Sequence, residues 1–97
     1  MTQAALTIRQ PFLLAEGLGI AMEVTLSELT AQQKKRFHSI IEQVKSSRES
    51  RAPVFDRESK DILLDCLRLF RQSRTWRWLR SDMVDALSDF ERFVRKA

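Results

Sequence analysis

Six apolar side chains near the end of the chain, Trp76, Leu79, Met83, Leu87, Phe90 and Val94, follow one another at intervals of 3, 4, 4, 3 and 4 residues. An α-helix turns once every 3.6 residues, so these positions fall on one stripe, whereas a half-buried strand would alternate at period two. The series predicts a long amphipathic helix starting at Trp76. Two shorter series have the same period: Phe37, Ile40, Ile41 and Val44, and then Ile62, Leu63, Cys66, Leu67, Leu69 and Phe70. The chain holds only two glycines and two prolines, too few for the turns that many short strands need. The expected fold is therefore all-α, a compact bundle of four to five helices, formed as a single domain over residues 1–97.

Local signals set the expected boundaries. Ala4 to Ile8 look helical, but Pro11 lacks an N–H and clashes with the preceding turn, so a helix kinks or restarts there. The following stretch, Phe12 to Met22, is hydrophobic almost all round, which suits burial in this chain or against another. Within it Gly17 and Gly19 cost helix stability and can permit close packing. Thr25-Leu26-Ser27-Glu28 and Thr30-Ala31-Gln32-Gln33 both fit a capping box, so a second helix is expected from residue 26 or 31. A polar loop is expected from Ser46 to Pro53, with Asp56 as N-cap of the third helix. One break is expected at Ser73-Arg74-Thr75, a cluster of poor helix formers.

The residue types weigh against several classes of function. A lone cysteine, Cys66, rules out an internal disulfide, and it lies on an apolar stripe where a core role outweighs a nucleophilic one. His38 is the chain's one histidine and sits among Lys34, Lys35 and Arg36, on a basic helix face. One His and one Cys do not make a zinc site. Asp82, Asp85 and Asp89 recur at helical spacing, and a solvated face or arginine pairing explains them better than a divalent cation. Gly17-Leu18-Gly19 lacks the following Gly-Lys-Ser/Thr of a phosphate loop. No catalysis, metal or cofactor is expected. With no apolar run near about 20 residues and no convincing leader, no membrane association and a cytoplasmic setting are expected.

Charge is distributed in blocks. The formal total is +4, but residues 30–54 carry +4 and residues 66–80 carry +5, while 1–29, 55–65 and 81–97 are net negative. The second block consists of Arg68, Arg71, Arg74, Arg77 and Arg80 with no acid among them, so local pairing is not expected to neutralise it. On one continuous helix a step of three residues falls about 60° short of a turn, and the break near Ser73 can re-aim part of the row. Arginine suits phosphate because its planar fork bonds two oxygens at once. A second patch consists of Lys34, Lys35 and Arg36, followed by Lys45, Arg48 and Arg51. Both patches are candidate contacts to a nucleic-acid backbone, with salt-dependent and largely sequence-independent binding. Trp78 points about 160° away from Trp76 on a helix, off the core stripe, so it is a candidate for base stacking or for a protein interface.

The layout resembles a known family. Arg9-Gln10-Pro11-Phe12, the basic helix over 34–48, the polar loop into Pro53-Val54-Phe55-Asp56-Arg57-Glu58, and two closing helices ending in Phe90 to Lys96 look like the small helical subunit of CRISPR effector complexes. In particular the chain resembles the helical C-terminal region of the type I-D large subunit, over most of its length. The resemblance implies a non-catalytic subunit that stacks in several copies. It would contact the backbone of the guide RNA–target DNA duplex or the displaced strand, with sequence reading left to guide pairing. The acidic 55–65 segment departs from a uniformly nucleic-acid-facing surface. Two further readings are a free-standing regulator, in which Ser73-Arg74-Thr75 is the turn of a helix-turn-helix, and a helical protein-interaction module such as an adaptor, antitoxin or inhibitor.

Overall fold

The computed structural model describes residues 10–47 and 55–96. Within them the chain forms α1 (Pro11–Val24), a single 3-10 turn (Leu26–Glu28), α2 (Ala31–Lys45), α3 (Arg57–Arg71), the one-turn α4 (Arg74–Arg77) and α5 (Ser81–Lys96). No strand occurs among the described residues, and the fold is the expected all-α bundle. The helical reading of Ala4–Ile8 and the 48–54 part of the polar loop, with Arg48 and Arg51, lie outside the described residues.

The helix ends follow from local chemistry. Pro11 opens α1, where its missing N–H would have had no helical partner, so the proline starts this helix. α2 begins with a complete capping box: the Thr30 hydroxyl accepts from the Gln33 N–H at 3.1 Å, and the Thr30 N–H donates to the Gln33 amide at 2.9 Å. The similar motif at Thr25 forms no such box. Its hydroxyl donates instead to the carbonyl of Ala21 at 2.8 Å and lies 3.2 Å from the Cys66 thiol, because Thr25 is buried against α3. Asp56 caps α3 by accepting from the Ser59 N–H at 2.8 Å. Bonding from Ser59, with the Arg36 guanidinium beside it, holds the Asp56 carboxyl below the usual carboxylate range.

α1 crosses α2, α3 and α5, and its inward residues Leu14, Ala15, Leu18, Ala21 and Met22 join Phe37, Ile40, Ile41 and Val44 of α2. Ile62, Leu63, Cys66, Leu67 and Phe70 of α3 and Met83, Leu87, Phe90, Phe93 and Val94 of α5 complete one contiguous cluster. Each Val, Leu, Ile, Met or Phe side chain so removed from water contributes about 1.5–3 kcal/mol before entropy is counted. Gly17 sets the spacing of α1 and α5, since a Cβ there would stand 3.2 Å from both Leu87 Cγ and Met83 Cγ. Phe55, just ahead of α3, is buried edge-on against Phe90 and Phe93, with ring centroids 5.9 and 6.5 Å away. Cys66 is a core residue, and burial pushes its thiol up from the ordinary range.

The long helix expected from Trp76 onward is two helices. α3 stops at Arg71, where the Ser73 hydroxyl donates to the Phe70 carbonyl at 2.6 Å and accepts from the Trp76 N–H at 3.4 Å. α4 then lasts a single turn, closed by Trp78 N–H to the Thr75 carbonyl at 3.0 Å. α5 restarts with the Arg80 carbonyl receiving the N–H groups of Met83 and Val84. The apolar interval survives both breaks because Trp76 and Leu79 still pack against the core from outside the long helix.

Candidate nucleic-acid interface

The five arginines of residues 66–80 are divided between two helices and the linker that follows them. Arg68 and Arg71 end α3, Arg74 and Arg77 belong to α4, and Arg80 stands ahead of α5. The block is not left unneutralised as expected, because acids from outside it fold back onto three members. Arg71 meets Glu91 of α5 at 2.6 Å, Arg80 meets Asp82 at 2.6 Å, and Arg68 lies 3.9 Å from Asp65. Asp65 and Asp82 flank the block within three residues of their partners, but spacing does not reveal Glu91, which is 20 residues from Arg71 and arrives through the packing of α5 on α3.

The three pairs differ in strength. Arg68–Asp65 and Arg80–Asp82 are exposed, and pairs of that kind contribute about 0–1 kcal/mol, so a phosphate can compete for either arginine. Glu91 is held more firmly. Its side chain is only 13% exposed, and its two oxygens bridge Arg71 at 2.6 Å and Arg95 at 2.9 Å. The Arg71 guanidinium also lies over the Trp76 ring, 5.7 Å from its centroid, while that ring meets Phe70 edge-on at 5.4 Å. Arg71 thus helps hold α4 against the end of α3. Arg68 and Arg71 further suit a helix C-terminus, whose partial negative charge favours cations. An open groove of about 420 Å³ between α3 and α5 contains Arg68, Arg71 and Arg95, with Asp65 and Glu91 on the same walls. Three guanidiniums against two carboxylates leave it only weakly positive. Arg95 did not stand out in the sequence, where it reads as an i,i+4 partner of Glu91.

Arg74 and Arg77 differ from the rest of the row. Both are exposed, neither forms an ion pair among the described residues, and neither caps a long helix. Beside them Trp78 is 85% exposed, off the core stripe as its position predicts. α4 explains the arrangement: one helical turn directs Trp76 inward onto Phe70 and leaves Arg74, Arg77 and Trp78 facing water within a turn of one another.

The second patch comes together less well. Lys34 and Lys35 stand near the start of α2 with no acid partner among the described residues. Arg36 is drawn to the acidic start of α3, 3.1 Å from Asp56 and 3.3 Å from Glu58. Lys45 ends α2 and pairs with Glu42 at 3.5 Å. Lys34 and Lys45 share a helix face but stand about 16 Å apart along the axis, so they cannot grip one phosphate. The acids of α5 include arginine partners, as expected: Asp82 holds Arg80 and Asp89 holds Arg92 at 2.9 Å. Among the described residues no group of three or more His, Cys, Asp or Glu side chains is placed to hold a metal, and no helix is long and apolar enough to cross a membrane. No family model matches the chain, and neither curated proteins nor solved structures give a match.

Proposed function

We propose that this chain is a non-catalytic, nucleic-acid-binding helical subunit that holds a phosphate backbone through the corner between α3 and α5. One observation carries this reading. Arg74 and Arg77 are exposed guanidiniums with no acid partner among the described residues and no role in ending a long helix, in a segment of net charge +5. Arg68 and Arg80 add to the corner because their exposed pairs yield readily to phosphate, and Lys34 and Lys35 offer a second contact. Among large apolar residues elsewhere in the chain, Phe12 on α1 is 74% exposed, which suits contact with a neighbouring subunit. The resemblance to the small subunit of CRISPR effector complexes supplies the setting. Copies of the chain line an RNA-guided assembly, holding the guide–target duplex or the displaced strand while base pairing reads sequence.

The helix-turn-helix alternative has less support. Two breaks and a one-turn helix separate α3 from α5, so Trp76 to Arg80 do not open a long recognition helix, and α5 exposes Asp82, Asp85 and Asp89. Native mass spectrometry of the tagged chain isolated from its own host tests the proposal. The expected result is a large assembly with several copies of this chain and a short RNA. Recovery as a free dimer, or with one protein partner and no nucleic acid, would contradict it.

A further inference from the structure

The face formed by Arg74, Arg77 and Trp78 has a chemistry more specific than a basic patch. A tryptophan ring 85% exposed is a large apolar surface left in water. Tryptophan and arginine are both enriched in protein–protein interfaces, but the fully buried centre of such an interface is more apolar than the surface around it. Trp78 has no other exposed large apolar residue in the segment from Arg74 to Arg80. Arg74 and Arg77 precede it, Arg80 follows it, and the inward-turned Trp76 and Leu79 pack against the core. An aromatic plane beside two guanidiniums with no acid partner among the described residues, Arg74 and Arg77, matches a nucleotide, with a base for the ring and phosphates for the forks.

We infer that this face is a single-strand site, in which Trp78 stacks on an unpaired base while Arg74 and Arg77 hold the adjoining phosphates. The inference rests on the phosphate-binding reading above and narrows its ligand. A base inside a duplex is already stacked on both sides, so a ring standing off the protein surface gains most from a strand whose bases are free. Stacking is sequence-tolerant because every base has a π-face, so the site discriminates strandedness rather than sequence. The inward packing of Trp76 on Phe70 and under Arg71 fixes α4, and therefore the direction in which Trp78 projects.

The test uses the full chain and fluorescently labelled oligonucleotides of equal length, one single-stranded and one a blunt duplex, followed by anisotropy at fixed salt. Trp78→Ala is expected to weaken single-strand binding by roughly ten- to a hundredfold, to change duplex binding little, and to leave the thermal melt unchanged because the side chain is exposed. Trp78→Phe, which keeps an aromatic face, is expected to restore most of the loss. If Trp78→Ala leaves single-strand affinity unchanged while the Arg74→Ala/Arg77→Ala variant weakens it, the stacking site is wrong and backbone binding stands. If the wild-type chain binds neither oligonucleotide, both readings fall.

Discussion

Gly17 and Gly19 are two residues apart on one helix, and the bundle treats them differently. A methyl group at Gly17 would press on Leu87 and Met83 at 3.2 Å, tight enough that those side chains must shift, whereas nothing lies within 4 Å of the same position at Gly19. Replacing a helical glycine by alanine gains about 1 kcal/mol in helix propensity, and overpacking a core contact costs about 1–3 kcal/mol. Gly19→Ala is therefore expected to stabilise the protein, with Gly17→Ala falling below it by about 1 kcal/mol or more in urea denaturation. Equal gains at both sites would mean that α1 and α5 do not meet as closely as described. The sequence marks both glycines as places where packing can be tight, but which one faces a neighbour depends on α5, more than 60 residues further along.

At the scale of elements, what could be read in advance was what is local. The Thr30 and Asp56 caps act over three residues and form as their motifs predict. Thr25 has the same local motif but is buried beside Cys66, and that tertiary contact takes its hydroxyl. The helical period of the core also holds, yet it does not distinguish one helix from two when Trp76 and Leu79 reach the core from a short turn. The candidate site was half legible for the same reason. The arginine row and the outward Trp78 follow from spacing, while the withdrawal of Arg71 by Glu91 and of Arg36 by Asp56 and Glu58 comes from helices meeting. α4 has a task of its own, since its packing through Trp76 aims Arg74, Arg77 and Trp78. Trp76→Ala removes the Phe70 and Arg71 contacts and is expected to cost about 2 kcal/mol of stability, as a half-buried aromatic does relative to a fully buried one. It is also expected to lower nucleic-acid affinity several-fold although every cation remains. Unchanged affinity in the folded variant would show that α4 does not need to be held in place.

For the whole molecule, the decisive quantity is where charge is left over. The Cα radius of gyration is 12.7 Å, close to the value of about 13 Å usual for a chain of 100 residues, so the core is small and partners can add much of the working stability. Among the described residues ion pairs engage Arg36, Arg68, Arg71, Arg80, Arg92 and Arg95, while Arg57, Arg74 and Arg77 have none; Arg57 stands between Asp56 and Glu58 in the sequence, and Arg74 and Arg77 lie together on one corner. The most direct test of the central claim is the slope of log affinity against log salt for a single-stranded oligonucleotide. Removing one cation that neutralises a phosphate lowers the magnitude of that slope by about 0.7, so Arg74→Ala/Arg77→Ala is expected to flatten it by about 1.4. Arg36→Ala, which removes a cation already engaged by two carboxylates, should leave the slope near wild type. Parallel lines for the wild type and the Arg74/Arg77 variant would contradict the account and move the nucleic-acid contact away from this corner.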